Sequence, residues 1–216
     1  MFTQVKRFAR SCSAVAMAAV LVLSGMPAAQ ATVPRVSGFL PPIGAELPMG
    51  WLSVNTPLEI GIRRFSVDFR GGIKVRVEAN PADPGSSVRL RVIGLKVVGV
   101  LPAGDGSRQD GGTITLEQDD VDADAPSVLR LIQRNPPRYE QILRLTFTMT
   151  IDQPDSRREP LVLVTKAPAE LVGELTQFPP AGDLHQLRNP VDLVQPDDPD
   201  STIATIREFP VLLDGR

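Results

Sequence analysis

The chain has 216 residues, with 23 basic and 25 acidic side chains, one histidine and one cysteine. A single cysteine excludes an intrachain disulfide framework, and one histidine beside it excludes zinc sites of the usual composition. The near-balanced charge, with one Trp and one Tyr, argues against a nucleic-acid surface, which needs a basic surplus and interleaved aromatics.

Lys6, Arg7 and Arg10 form a positive head, residues 14–23 an apolar run, and Ala29-Gln30-Ala31 a small-residue close. This order reads as a secretory signal peptide over 1–31, with Ala29 and Ala31 marking the cleavage site. The run is about half the roughly 20 residues a spanning helix needs, and a retained anchor is the alternative. At Met26 the sequence lacks the cysteine of a lipoprotein signal. Cleavage leaves a cysteine-free product with 23 − 3 = 20 basic and 25 acidic side chains. The expectation is a secreted or wall-associated protein with no membrane span after cleavage. Its seventeen arginines against three lysines suggest a bacterial source with a GC-rich genome.

Residues 32–57 carry Pro34, Pro41, Pro42, Pro48 and Pro57. Proline denies the backbone regular donors, so this stretch is expected to be an extended lead-in over the core, anchored by Phe39, Leu40 and Trp51. Alternation of apolar and polar residues then begins, the signature of half-buried strands. Leu58, Ile60 and Ile62 form one set and Phe65, Val67 and Phe69 another, out of phase, which calls for a β-bulge near Arg63-Arg64. Gly71-Gly72, followed by alternating Ile73, Val75 and Val77, reads as a hairpin turn.

Val88, Leu90 and Val92 alternate with Arg89 and Arg91. Residues 92–101 are nearly all apolar, as in a strand buried on both faces, with Lys96 the interruption. Short strands are expected at 113–117 and 128–132. The clearest strand is 142–152, with Leu143, Leu145, Phe147, Met149 and Ile151 inward and Arg144, Thr146, Thr148 and Thr150 outward. A further strand follows at 160–165. The segment 168–178 is the one candidate helix, with Pro168 at its first position and Leu171, Val172, Leu175 and Phe178 on one face. Strands at 184–187, 191–194 and 203–211 close the chain, with Pro210 forcing an edge or a break. Asn80, Asn135 and Asn189 each precede proline and punctuate turns.

The fold class expected is all-β: an antiparallel β-sandwich or barrel-like fold of about ten short strands with at most one short helix. Residues 58–216 form its single domain.

Two constellations bear on chemistry. Lys74, Arg76, Arg89 and Arg91 fall on the polar faces of two adjacent strands, where cross-strand neighbours lie about 5 Å apart. Four such cations repel unless Glu78, an anionic ligand or a partner offsets them. They are therefore anion-binding candidates, with an anionic cell-wall polymer or a protein as partner; the plainer reading is a solvated sheet exterior. Asp120, Asp122 and Asp124 alternate as the start of a calcium loop does, and Asp119 beside them completes the set of candidate calcium ligands. The sixth and twelfth positions counted from Asp120 hold Ala125 and Leu131 rather than Gly and Glu, so calcium, the one cofactor considered, fits poorly, and a solvated loop is expected. His185, two residues from Asp183, lacks any G-x-S-x-G or S-x-x-K partner and reads as a surface histidine.

No motif specifies a reaction. The expectation is a secreted or envelope-associated, non-catalytic binding or structural protein. A hydrolase using a carboxylate pair and a calcium-stabilised surface module are the alternatives.

Overall fold

A computed structural model describes residues 39–102, 111–119, 125–152 and 159–215. These belong to one compact unit spanning 36–216. The signal-peptide positions Ala29 and Ala31 lie outside the described residues, as do Asp120, Asp122 and Asp124.

The described residues form thirteen antiparallel strands and no helix. Three long strands come first: β1 (Glu46–Ile60), β2 (Arg63–Ala79) and β3 (Ser87–Leu101). β4 (Gly112–Gln118), β5 (Ser127–Arg134), β6 (Pro137–Leu145), β7 (Phe147–Asp152) and β8 (Leu161–Thr165) follow. β9 (Ala169–Leu175), β10 (Ala181–Leu187), β11 (Val191–Gln195), β12 (Asp198–Ile206) and β13 (Val211–Asp214) complete the chain.

The long strands are a trunk shared by two closed circuits. β1 gives Gly50–Ser53 to β13 and Leu58–Ile60 to β12. β3 gives Ser87–Leu90 to β5 and Lys96–Leu101 to β4. The first circuit therefore runs β1-β2-β3-β4-β7-β8-β11-β12 and back to β1. The second runs β1-β2-β3-β5-β6-β9-β10-β13 and back to β1. A ring of eight strands is just wide enough for side chains to fill. Here alternate residues of every circuit point in, and they merge into one apolar cluster from Met49 to Leu213.

Several sequence expectations change in this architecture. Gly71-Gly72 is no hairpin turn but the middle of β2, opposite Val97 and Lys96. A Cβ at Gly71 would run into the Lys96 carbonyl and the Val97 Cα, so glycine is needed where β2 passes from one circuit to the other. The hairpin sits at Gly61-Ile62 instead, with Gly61 at φ 56 and Ile62 fully exposed. The out-of-phase sets thus belong to two strands. The bulge lies in β1, at 54–55, where Asn55 takes φ 56 and its N–H is held by Asp68 Oδ1 at 2.7 Å.

β1 also takes residues 46–57 of the proline-rich stretch into the sheet, with Pro48 opposite Lys74. Of the three expected anchors, Trp51 is buried and Leu40 packs on the core, while Phe39 is half exposed and offers its carbonyl to the Tyr139 hydroxyl at 2.6 Å.

The helix expected at 168–178 is strand β9, and Ala169, Leu171 and Leu175 are buried on alternate positions. Residues 92–101 are buried on one face only: Val98 and Val100 face out, Val100 half exposed. The run 142–152 does behave as read, burying Leu143, Leu145, Phe147, Met149 and Ile151, with its sheet pairing broken at Thr146 between β6 and β7. Pro210 lies in the break between β12 and β13.

Candidate anion-binding crevice

Where β3 changes partner, its edge opens. Leu90 is the last residue paired with β5 and Lys96 the first paired with β4. Residues 91–95 between them have no strand partner on the side away from β2. A strand edge left this way offers its backbone amides and carbonyls to partners other than a strand. One is satisfied by a side chain: Gln118, at the end of β4, donates its Nε2 to the Val92 carbonyl at 2.8 Å.

The fork encloses a crevice of about 290 Å³, lined among others by Glu78, Arg89, Arg91, Gln118, Ser127 and Arg144. A wider opening of about 640 Å³ shares Arg91 and Gln118 and adds Arg76, Glu117 and Asp119.

The cross-strand register explains the clustering. Arg76 stands directly opposite Arg91, and Glu78 opposite Arg89. Like charges facing each other across a ladder repel, and β1 supplies the relief. Glu46 lies opposite Arg76 and bridges two cations, Lys74 Nζ at 2.6 Å and Arg76 Nη2 at 2.6 Å. The Lys74 hydrogen bond, then that of Arg76, holds the Glu46 carboxyl down at about 2. On the opposite wall Arg144 donates Nη1 to the Pro126 carbonyl at 2.7 Å and pairs with Glu170 at 3.4 Å. Glu170 also takes Arg188. Ser127 ties the wall together, accepting from the Arg144 N–H at 2.8 Å.

Arg89 is placed differently. Its Nε is buried and has no hydrogen-bond partner among the described residues. Nitrogen donors of this kind carry a desolvation penalty until an acceptor reaches them, and a guanidinium fork matches the oxygens of a carboxylate or phosphate.

All four cations singled out in the sequence thus share one neighbourhood. Arg76, Arg89 and Arg91 line the fork, while Lys74 is held beside it by Glu46. The offset expected from Glu78 comes instead, for Lys74 and Arg76, from Glu46. Sequence reasoning missed Glu46, Gln118, Ser127 and Arg144. Alternation did put Arg144 on the outer face; that β6 lies across the fork from β3 has no local signal.

Of the calcium candidates, Asp119 borders the wider opening, and its N–H is bonded to the Thr146 carbonyl at 3.2 Å. No group of three or more metal-ligating His, Cys, Asp or Glu occurs among the described residues.

His185 is not on the surface. It is fully buried inside the second circuit, with Nε2 3.0 Å from Gln141 Oε1 and Nδ1 3.2 Å from the Asp183 carbonyl. Both ring nitrogens therefore face amide groups, and neither meets a serine hydroxyl.

No family model matches the chain, and no curated protein does. Among solved structures it is similar to DynF from the dynemicin biosynthesis pathway of Micromonospora chersina. The match has a TM-score of 0.60 at 19% identity and covers 89% of this chain and 93% of that one. At that identity the likeness speaks for the fold alone.

Proposed function

We propose that this is an exported, non-catalytic binding protein whose working element is the fork beside β3, and that the fork takes an anionic group such as those on acidic cell-wall polymers. The observation that carries the reading is the buried, unpartnered Arg89 Nε in a crevice flanked by Arg76, Arg91 and Arg144. The flanking carboxylates Glu46 and Glu170 hold Arg76 and Arg144 in place, so an incoming oxyanion meets cations already oriented. Export rests on the positive head, apolar run and Ala29-Gln30-Ala31 of the sequence.

A carboxylate-pair hydrolase finds less support. A general acid at neutral pH needs a carboxyl raised toward 6 or 7. Among the described residues, the Glu46 and Glu59 carboxyls are both lowered, each chiefly by a hydrogen bond from a cationic partner, Lys74 and Arg207 respectively.

Retention on immobilised teichoic acid or heparin, eluted with salt, tests the proposal. Binding is expected to weaken as ionic strength rises. Arg89→Ala/Arg91→Ala is expected to weaken it by about tenfold or more, at roughly 1.5–3 kcal/mol for each charged hydrogen bond lost. Retention that is unchanged by salt, or by the double substitution in a protein that still folds, overturns it.

A further inference from the structure

The interior of the second circuit holds one ionisable ring on an unusual footing. His185 lies flat against Gly173, its register partner on β9: a Cβ at Gly173 would sit 2.6–2.8 Å from three atoms of the imidazole. Gly173 is in turn opposite Gln141 on β6. The missing side chain is what lets the ring of β10 reach across β9 to the Gln141 amide.

The polar atoms at this contact do not suit a neutral ring as they stand. Gln141 Oε1 faces Nε2, and the Asp183 carbonyl faces Nδ1. Both are acceptors, and a neutral imidazole has one N–H to give. Meanwhile Gln141 Nε2 is buried without a hydrogen-bond partner among the described residues. That arrangement fits an imidazolium, which donates from both nitrogens. Turning the amide by 180° fits the neutral ring instead. Nδ1–H then donates to the Asp183 carbonyl, Gln141 Nε2–H donates to the His185 Nε2 lone pair, and the stranded donor is satisfied. Which end of an amide faces a ring is set by such a network.

We propose that Gln141 is a two-way partner whose amide rotates so that His185 can gain and lose a proton inside the folded second circuit, making the pair an acid-responsive element. The surroundings leave the decision to these two residues. β9 presents Gly173 and β13 presents Val211 to the ring. On β6 the other titratable group of the buried face is Tyr139, neutral and bonded to the Phe39 carbonyl. On β10, Asp183 shares the His185 face, and its carboxylate accepts from the Ala181 N–H. Burial pulls the His185 pKa below its ordinary value, against smaller opposing effects of the Asp183 carbonyl and carboxylate. The unfolded chain therefore takes the proton first. Stability is complete above about pH 6.5, falls as pH drops through that value, and stops falling once the folded ring is protonated too. This inference is independent of the anion-binding reading.

His185 is the only histidine in the chain, so its ring ¹⁵N resonances need no assignment. At pH 8 the purified, ¹⁵N-labelled protein is expected to show the Nδ1–H tautomer. On acidification both ring nitrogens are expected to become protonated while the amide spectrum stays dispersed. Gln141→Glu, which offers a fixed acceptor and a negative charge, is expected to raise the midpoint by about one pH unit or more. Gln141→Leu is expected to keep the ring neutral to lower pH than in the wild type. An Nε2–H tautomer at pH 8, a spectrum that collapses before the ring titrates, or a midpoint unmoved by Gln141→Glu overturns the proposal. The last comparison stands even where Gln141→Leu does not fold.

Discussion

The two circuits share a trunk and differ in what they bury. The first closes over aliphatic and aromatic side chains such as Phe147, Met149, Leu163 and Leu193, all essentially inaccessible. The second closes over a comparable apolar set but adds Gln141, His185 and Ser127, also buried, while the buried Ser53–Thr56 pair sits on the shared β1. Apolar contacts are non-directional. Buried polar groups have to be matched atom for atom. The first circuit is therefore held by volume and the second by volume and geometry together. Titration inside the fold belongs to the second alone, among the described residues.

Removing a large side chain from the first circuit tests this difference most strongly. Phe147→Ala is expected to lower stability by about 3–5 kcal/mol through lost transfer energy and the cavity left behind. Denaturant midpoints at pH 8 and pH 5 are expected to fall by equal amounts, since no titrating group is touched. A loss that depends on pH would mean the circuits are not separable in this way.

Next comes Gly173→Ala, which puts a methyl group against the His185 ring and is expected to cost about 1–3 kcal/mol by overpacking. Combined with His185→Ala, the penalty is expected to be smaller than the two single losses added. Strict additivity, measured by the same denaturant curves, would show that the ring does not rest on Gly173.

The smallest effect is expected from Ser127→Ala. Its hydroxyl accepts from the Arg144 N–H and donates to the Arg144 carbonyl at 3.3 Å, a link that belongs to the second circuit. Its loss is expected to cost about 1 kcal/mol. Amide exchange at Arg144 is expected to quicken ahead of exchange in β4 and β7. Uniform quickening across both circuits would argue that the polar link has no local role.

Much of the strand content was legible because alternation is local. Residues 142–152 announce a strand by themselves, since a helix would scatter Leu143, Leu145, Phe147, Met149 and Ile151 around its circumference. The segment 168–178 misleads for an equally local reason. Leu171 and Leu175, four apart, satisfy the helical period and the strand period alike, and Gly173 between them carries no apolar mark. Its purpose, to clear space for His185, is written on another strand. His185 itself reads as a surface residue until β6, β9 and β13 are placed around it. The arginine cluster was half legible: two adjacent strands bring Lys74, Arg76, Arg89 and Arg91 together, but Glu46 and Arg144 reach it through pairings with β1 and across the fork.

By itself, then, the amino-acid order determined an all-β chain without disulfides, the inward face of most strands, and a local concentration of arginine. Those follow from a two-residue period and from counting, which need no neighbours. Tertiary structure alone decided that β1 and β3 each serve two partners. It also decided that the sheet closes twice, that a crevice opens where β3 changes hands, and that a histidine is sealed inside. Strand partners are chosen by the packing of distant segments, and no local pattern records which edge meets which.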